Sequence, residues 1–252
     1  CVKQAESIPK LMATDGKVLN FLLSPEYGNT FYSTVDQNSA AVLESIYQHY
    51  NNSDAADTDN DGGTIAPPPT PPTVLVDCGA LLTGYSNAEV VNLVLIRLPG
   101  KFAGGIYFDT AGHLSVVDTC GRVSKFANSS ILAKDCFTYL DDAHTRGTDL
   151  KFAPNARAIV TVGKDMPKDK GVQGAMRMRQ LGVGQNIEWV GNREVSTKIA
   201  AFCKCQIGEI TSAELMAWML SNTIEAQETS MVGFARQGGV FGTKCAALQP
   251  LR

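Results

Sequence analysis

Charge is scarce in this chain, and neither sign prevails. Of 252 residues 19% are charged, and the net charge is −3. That balance gives no support for a basic nucleic-acid face. No apolar run reaches the roughly 20 residues needed to cross a bilayer, so no membrane association is expected. The first residues do not read as a secretory leader. The chain opens on Cys1 instead of Met and is expected to be a piece of a longer protein. Also missing is any Gly-x-x-x-x-Gly-Lys-Ser/Thr loop, which excludes a complete phosphate-loop nucleotide site within these residues. The seven cysteines are too dispersed for a disulfide scaffold, and their odd number leaves one thiol unpaired. A reducing, intracellular and cytoplasmic setting is expected. Cys203-Lys-Cys205 lacks the two-residue spacer of a zinc knuckle, and no metal site is expected.

What is present reads as four regions. Residues 1–50 form a mixed, largely helical flank, with Asn38 to Tyr47 the clearest amphipathic stretch. Residues 51–73 are rich in Asn, Asp and Gly, then in Pro, and read as a linker or long insertion with little apolar surface to bury. From 74 to 191 apolar runs alternate with helical segments. Strands are predicted at 74–77, 105–109, 114–118, 136–140, 158–162 and 186–190, and helices at 87–95, capped by Ser86, and about 170–181. This alternation predicts an α/β core with a mostly parallel sheet covered by helices on both faces. Residues 192–252 read as an appended helical extension. Its last helix starts at a Thr211-x-x-Glu214 capping pattern and is expected to stop at Gly238-Gly239.

Two segments concentrate the polar chemistry. The strand 136–140 delivers Asp141, Asp142, His144, Arg146, Gly147 and Asp149 to one strand end, where open α/β sheets bind ligands. A carboxylate beside His144 would raise its basicity and fix its tautomer, suiting it to general-base work. Arg146 offers a bidentate cation and Gly147 a flexible backbone position. The second segment is Gln173-Gly-Ala-Met-Arg-Met-Arg-Gln180. On a continuous helix Gln173, Arg177 and Gln180 would share one polar face. Cys78, beside Asp77 at another strand end, is the best-placed thiol for a nucleophile.

Two resemblances rest on these residues. Arg146-Gly-Thr-Asp149 and Gln173 to Arg177 resemble motifs V and VI in the second RecA-like domain of superfamily-2 helicases and of the SecA translocase motor. The final arginine of motif VI is replaced by Gln180 here. More extensively, Val76 to Asn87, His144 to Lys151 and Gln173 to Gly182 are similar to very large eukaryotic proteins catalogued as ubiquitin thioesterases. The second resemblance implies a fragment of a cysteine-type deubiquitinase. Cys78 would then be the nucleophile, His144 with Asp141 or Asp142 the base pair, ubiquitin or ubiquitinated proteins the partners, and no cofactor would be required. The first implies a RecA-like core forming the second half of an ATP-dependent remodelling motor, or a non-catalytic nucleotide-sensing scaffold. In either form Arg146, Gly147, Asp149, Gln173, Arg177 and Gln180 would face nucleotide, with ATP and Mg as cofactors.

Overall fold

In the computed structural model, residues 15–24, 31–33, 39–55, 71–145 and 149–248 are described. Their strands form an eight-stranded sheet in the order β1-β8-β7-β2-β6-β3-β4-β5. β2 (Pro72–Val76), β3 (Gly104–Phe108), β6 (Cys136–Leu140), β7 (Arg157–Val162) and β8 (Asn186–Gly191) are parallel. β4 (Leu114–Asp118) and β5 (Val123–Lys125) add an antiparallel edge. The other edge is β1 (Phe31–Ser33), which pairs parallel with β8, so the residue 1–50 flank contributes a strand to the sheet.

The strand sequences show why the sheet is covered on both sides. All six residues of β7, Arg-Ala-Ile-Val-Thr-Val, are buried. Strands enclosed on two faces read as continuous apolar runs, without the alternation of half-exposed ones. One face packs Val74, Val76, Ala158, Val160 and Val162 beneath α1 (Asp15–Leu23), α4 (Lys168–Ala175), α5 (Arg193–Cys203) and α6 (Ser212–Leu248). The opposite face packs Leu75, Phe137, Tyr139 and Ile159 beneath α2 (Ser39–Ala55) and α3 (Asn87–Arg97). The chain is therefore an α/β protein with a mostly parallel sheet and a C-terminal helix, as its sequence predicts.

Neighbouring strands β2 and β7 send their following helices to opposite faces, α3 to one and α4 to the other. Their carboxyl ends therefore meet at a topological switch point, the usual ligand position in open α/β sheets. No described helix is both long and apolar enough to cross a membrane.

Two helix boundaries differ from expectation. α4 ends at Ala175, six residues before the predicted end near 181. The segment after it is pinned as a turn. Gln185 accepts from the Gln180 backbone N–H and donates to the Ala153 carbonyl, both at 2.9 Å, while Gly182 and Gly184 take positive φ. Conversely, α6 continues through Gly238-Gly239 to Leu248. Glycine lowers helix propensity by about 1 kcal/mol each without removing a hydrogen bond, so the pair does not by itself terminate a helix.

Candidate functional site at the sheet's carboxyl rim

The rim is organised by Asp77, the residue after β2, whose carboxylate is almost wholly buried. It accepts from the Leu81 and Leu82 backbone N–H groups at 2.9 and 3.0 Å, from Thr161 Oγ1 at 2.6 Å and from Tyr139 Oη at 3.3 Å. Burial pushes its carboxyl pKa up, and the four donors oppose that shift. Asp77 thus ties the β2–α3 loop to the two flanking strands. The loop and the end of β7 are in backbone contact. A Cβ on Gly163 would lie 2.5 Å from the Gly79 carbonyl oxygen, and one on Gly79 would lie 2.6 Å from Gly163 N. Only glycine fits on either side of that contact.

Cys78 occupies the next layer. It is fully buried, and a Cβ on Gly174 of α4 would fall 2.1 Å from its sulfur. Burial, reinforced by the Asp77 charge, pushes its thiol up to about 12. A nucleophile needs accessible thiolate. Cys78 instead lies beneath α4 as a protonated packing group, a setting that does not suit the nucleophile role expected for it. Two further thiols lie at the opposite end of the sheet. β4 runs antiparallel to β3, so Cys120, just after Asp118, sits at the amino rim. Cys136 begins β6 at that same end and is buried.

His144 sits in a short 3-10 turn, Asp142–His144, directly after β6. Its Nδ1 is 2.6 Å from Asp141 Oδ1, and its ring stacks on Phe108 at the end of β3 with centroids 4.1 Å apart and planes 4° from parallel. The expected His144–Asp141 pair is therefore present. Asp142 turns away and takes Lys170 of α4, with N–O distances of 2.8 and 2.9 Å. Because β2 lies between β6 and β7, that ion pair spans the rim above the Cys78 layer.

The second polar segment runs over the sheet face that covers Cys78 and into the turn that leads back to β8. Arg177 lies in the turn after α4, with its Nε 3.4 Å from the Gln173 carbonyl oxygen. Burial draws its pKa down and neighbouring Arg179 acts in the same direction, whereas Asp149 opposes them. Arg179 Nε lies 3.3 Å from Asp149 Oδ1. Gln173 Oε1 is buried with no hydrogen-bond partner among the described residues. Gln180 is exposed and belongs to the turn, so the single helical face expected for Gln173, Arg177 and Gln180 is replaced by a helix end and a turn. Arg146 and Gly147 lie outside the described residues.

Asp77, Thr161, Phe108 and Lys170 carry much of this geometry and were not singled out in the sequence. Only for Asp77 was there a local signal, an acidic residue closing an apolar strand. Lys170 on α4 and Arg177 and Arg179 in the turn after it are the cations of this segment, Lys170 paired with Asp142 and Arg179 with Asp149, and such groups suit an anion. Comparison with known proteins gave no match to any family model, curated protein or solved structure.

Proposed function

We propose that this chain is a nucleotide-reading α/β module of a large multidomain protein, acting as the second, RecA-like half of an ATP-driven motor. The observation that carries the reading is the seating of Gly174 on Cys78. It fixes the Gln173–Arg177 segment against the β2/β7 switch point, beside the Asp149–Arg179 pair. Two segments separated in sequence thereby offer one cationic edge to a phosphate-bearing ligand. Arg177, Arg179 and Gln173 fit phosphate oxygens as charged and polar donors. ATP with Mg would supply the transferable phosphoryl group. These residues would orient it and balance its charge, with the phosphate loop supplied by another part of the protein.

The test is steady-state ATP turnover by the full-length protein carrying Arg177→Ala. Loss of a positioned transition-state contact lowers turnover by about one to two orders of magnitude. Unchanged turnover would remove the motor reading. The deubiquitinase activity implied by the family resemblance would need a nucleophile other than Cys78. A ubiquitin probe with a C-terminal electrophile should therefore leave Cys78 unmodified, and an adduct on that residue would reverse this choice between the two readings.

A further inference from the structure

α4 is a helix that its own sequence holds poorly. It has eight residues, Lys-Asp-Lys-Gly-Val-Gln-Gly-Ala, and two of them are glycine. So short a helix is marginal alone, and each glycine weakens it further. Its N-cap position is Pro167, which makes no side-chain hydrogen bond to the first turn. Of its four buried residues only Val172 and Ala175 carry side chains. The order of α4 therefore comes from its neighbours, and α6 secures its start. Thr223 Oγ1 accepts from the Lys168 backbone N–H at 2.9 Å, which is the part an N-cap side chain plays. The same hydroxyl donates to the Met219 carbonyl at 2.9 Å, so it is fixed to its own helix. Asn222 Nδ2 donates at 3.1 Å to the carbonyl of Met166, in the loop that leads into α4. One turn back along α6, Met219 packs so closely that a Cβ on Gly171 would lie 2.9 Å from its sulfur.

We infer that this turn of α6, Met219 to Thr223, is a latch on α4. While it is seated, α4 stays folded over the sheet and Cys78 stays covered. When it is withdrawn, α4 opens as a unit and the sheet remains. Two contacts would be lost with α4, the Lys170–Asp142 ion pair and the seating of Gly174 on Cys78. The strands beneath do not need α4 for their pairing, and Thr161 and Tyr139 hold Asp77 from the sheet itself. The latch sits where α6 leaves the domain. Every residue from Ile224 to Phe241 is exposed, and the helix runs unbroken from Ser212 to Leu248. The element that secures α4 is thus the one that projects from the domain, and displacing the projecting length moves the latch at its root.

The test is prolonged labelling of Cys78 by iodoacetamide, read by peptide mass spectrometry, in the 252-residue chain at urea concentrations below its unfolding transition. A local opening exposes little surface. Labelling at low urea should therefore be almost independent of urea and faster than global unfolding allows. Thr223→Val removes the acceptor and keeps the shape. It should raise that rate about fivefold, as loss of a helix cap does to an opening equilibrium. Adding Asn222→Ala should raise it further. Ser86→Ala removes the cap of α3, which packs on the opposite face. It should leave the low-urea rate unchanged, because that cap survives the opening of α4. Labelling that follows the urea dependence of global unfolding, a rate indifferent to Thr223→Val, or equal acceleration by Ser86→Ala would each overturn the inference. It is independent of the nucleotide reading, since no step of it involves ATP.

Discussion

At the scale of single residues, the contact between Cys78 and Gly174 joins the two polar segments. Gly174→Ala would put a methyl group into the space held by the Cys78 sulfur. The clash outweighs the helix-propensity gain of alanine, and a net loss of about 1–3 kcal/mol is expected in urea unfolding. Cys78→Ala should recover most of that loss in the double variant, and the two changes should be strongly non-additive. An alkylating reagent under native conditions should modify exposed Cys120 and spare Cys78, as peptide mapping by mass spectrometry can verify. A thiol whose folded pKa is raised above its ordinary value keeps its proton better when folded. Its contribution to stability is therefore full below pH 9 and falls as pH rises towards about 12. The sequence placed Cys78 at a strand end correctly, but a strand end does not say what lies over it. The covering element, α4, arrives nearly a hundred residues later, so the burial was not legible locally.

Among the secondary elements, starts were easier to read than stops. Ser86 and Glu89 form a reciprocal cap on α3, and at the start of α6 Glu214 accepts from the Thr211 backbone N–H while Thr211 Oγ1 accepts from the Ala213 backbone N–H. Both caps are closed within four residues, which is why a four-residue pattern reveals them. These bonds hold the Glu89 and Glu214 carboxyls below their ordinary value of 4.5. Carboxylates with depressed folded pKa values stabilise above the ordinary value, and that contribution is lost as pH falls through the folded one. Thermal unfolding followed from pH 6 to pH 3 should show declining stability. Glu214→Gln should flatten part of that slope and cost about 0.5–1 kcal/mol at neutral pH. The end of α4 was hidden because Gln185, well downstream, stabilises the turn. Arg157 and Glu188 form a buried ion pair across β7 and β8, and they too are 31 positions apart in sequence. Removing the Glu188 charge should destabilise the sheet by about 3–5 kcal/mol in chemical denaturation, because the Arg157 guanidinium would remain buried without that counter-charge.

For the molecule as a whole, apolar runs and punctuation located the strands of the core closely, since a sheet enclosed on both faces demands them. β1 was not anticipated, because its three residues become a strand only through pairing with β8. The order of strands is likewise a long-range property, and from it come the adjacency of β2 and β7 and the convergence of Asp149, Arg179 and Arg177. Gly79 and Gly163 have a consequence for how such an edge can work. Their backbones already touch, so Gly163→Ala should cost about 2–4 kcal/mol by forcing them apart. With that seam shut, no ligand fits between the two loops, so on the proposed reading a nucleotide would be gripped from outside. The surface would then act as one jaw, effective when an opposing domain brings the ligand to it.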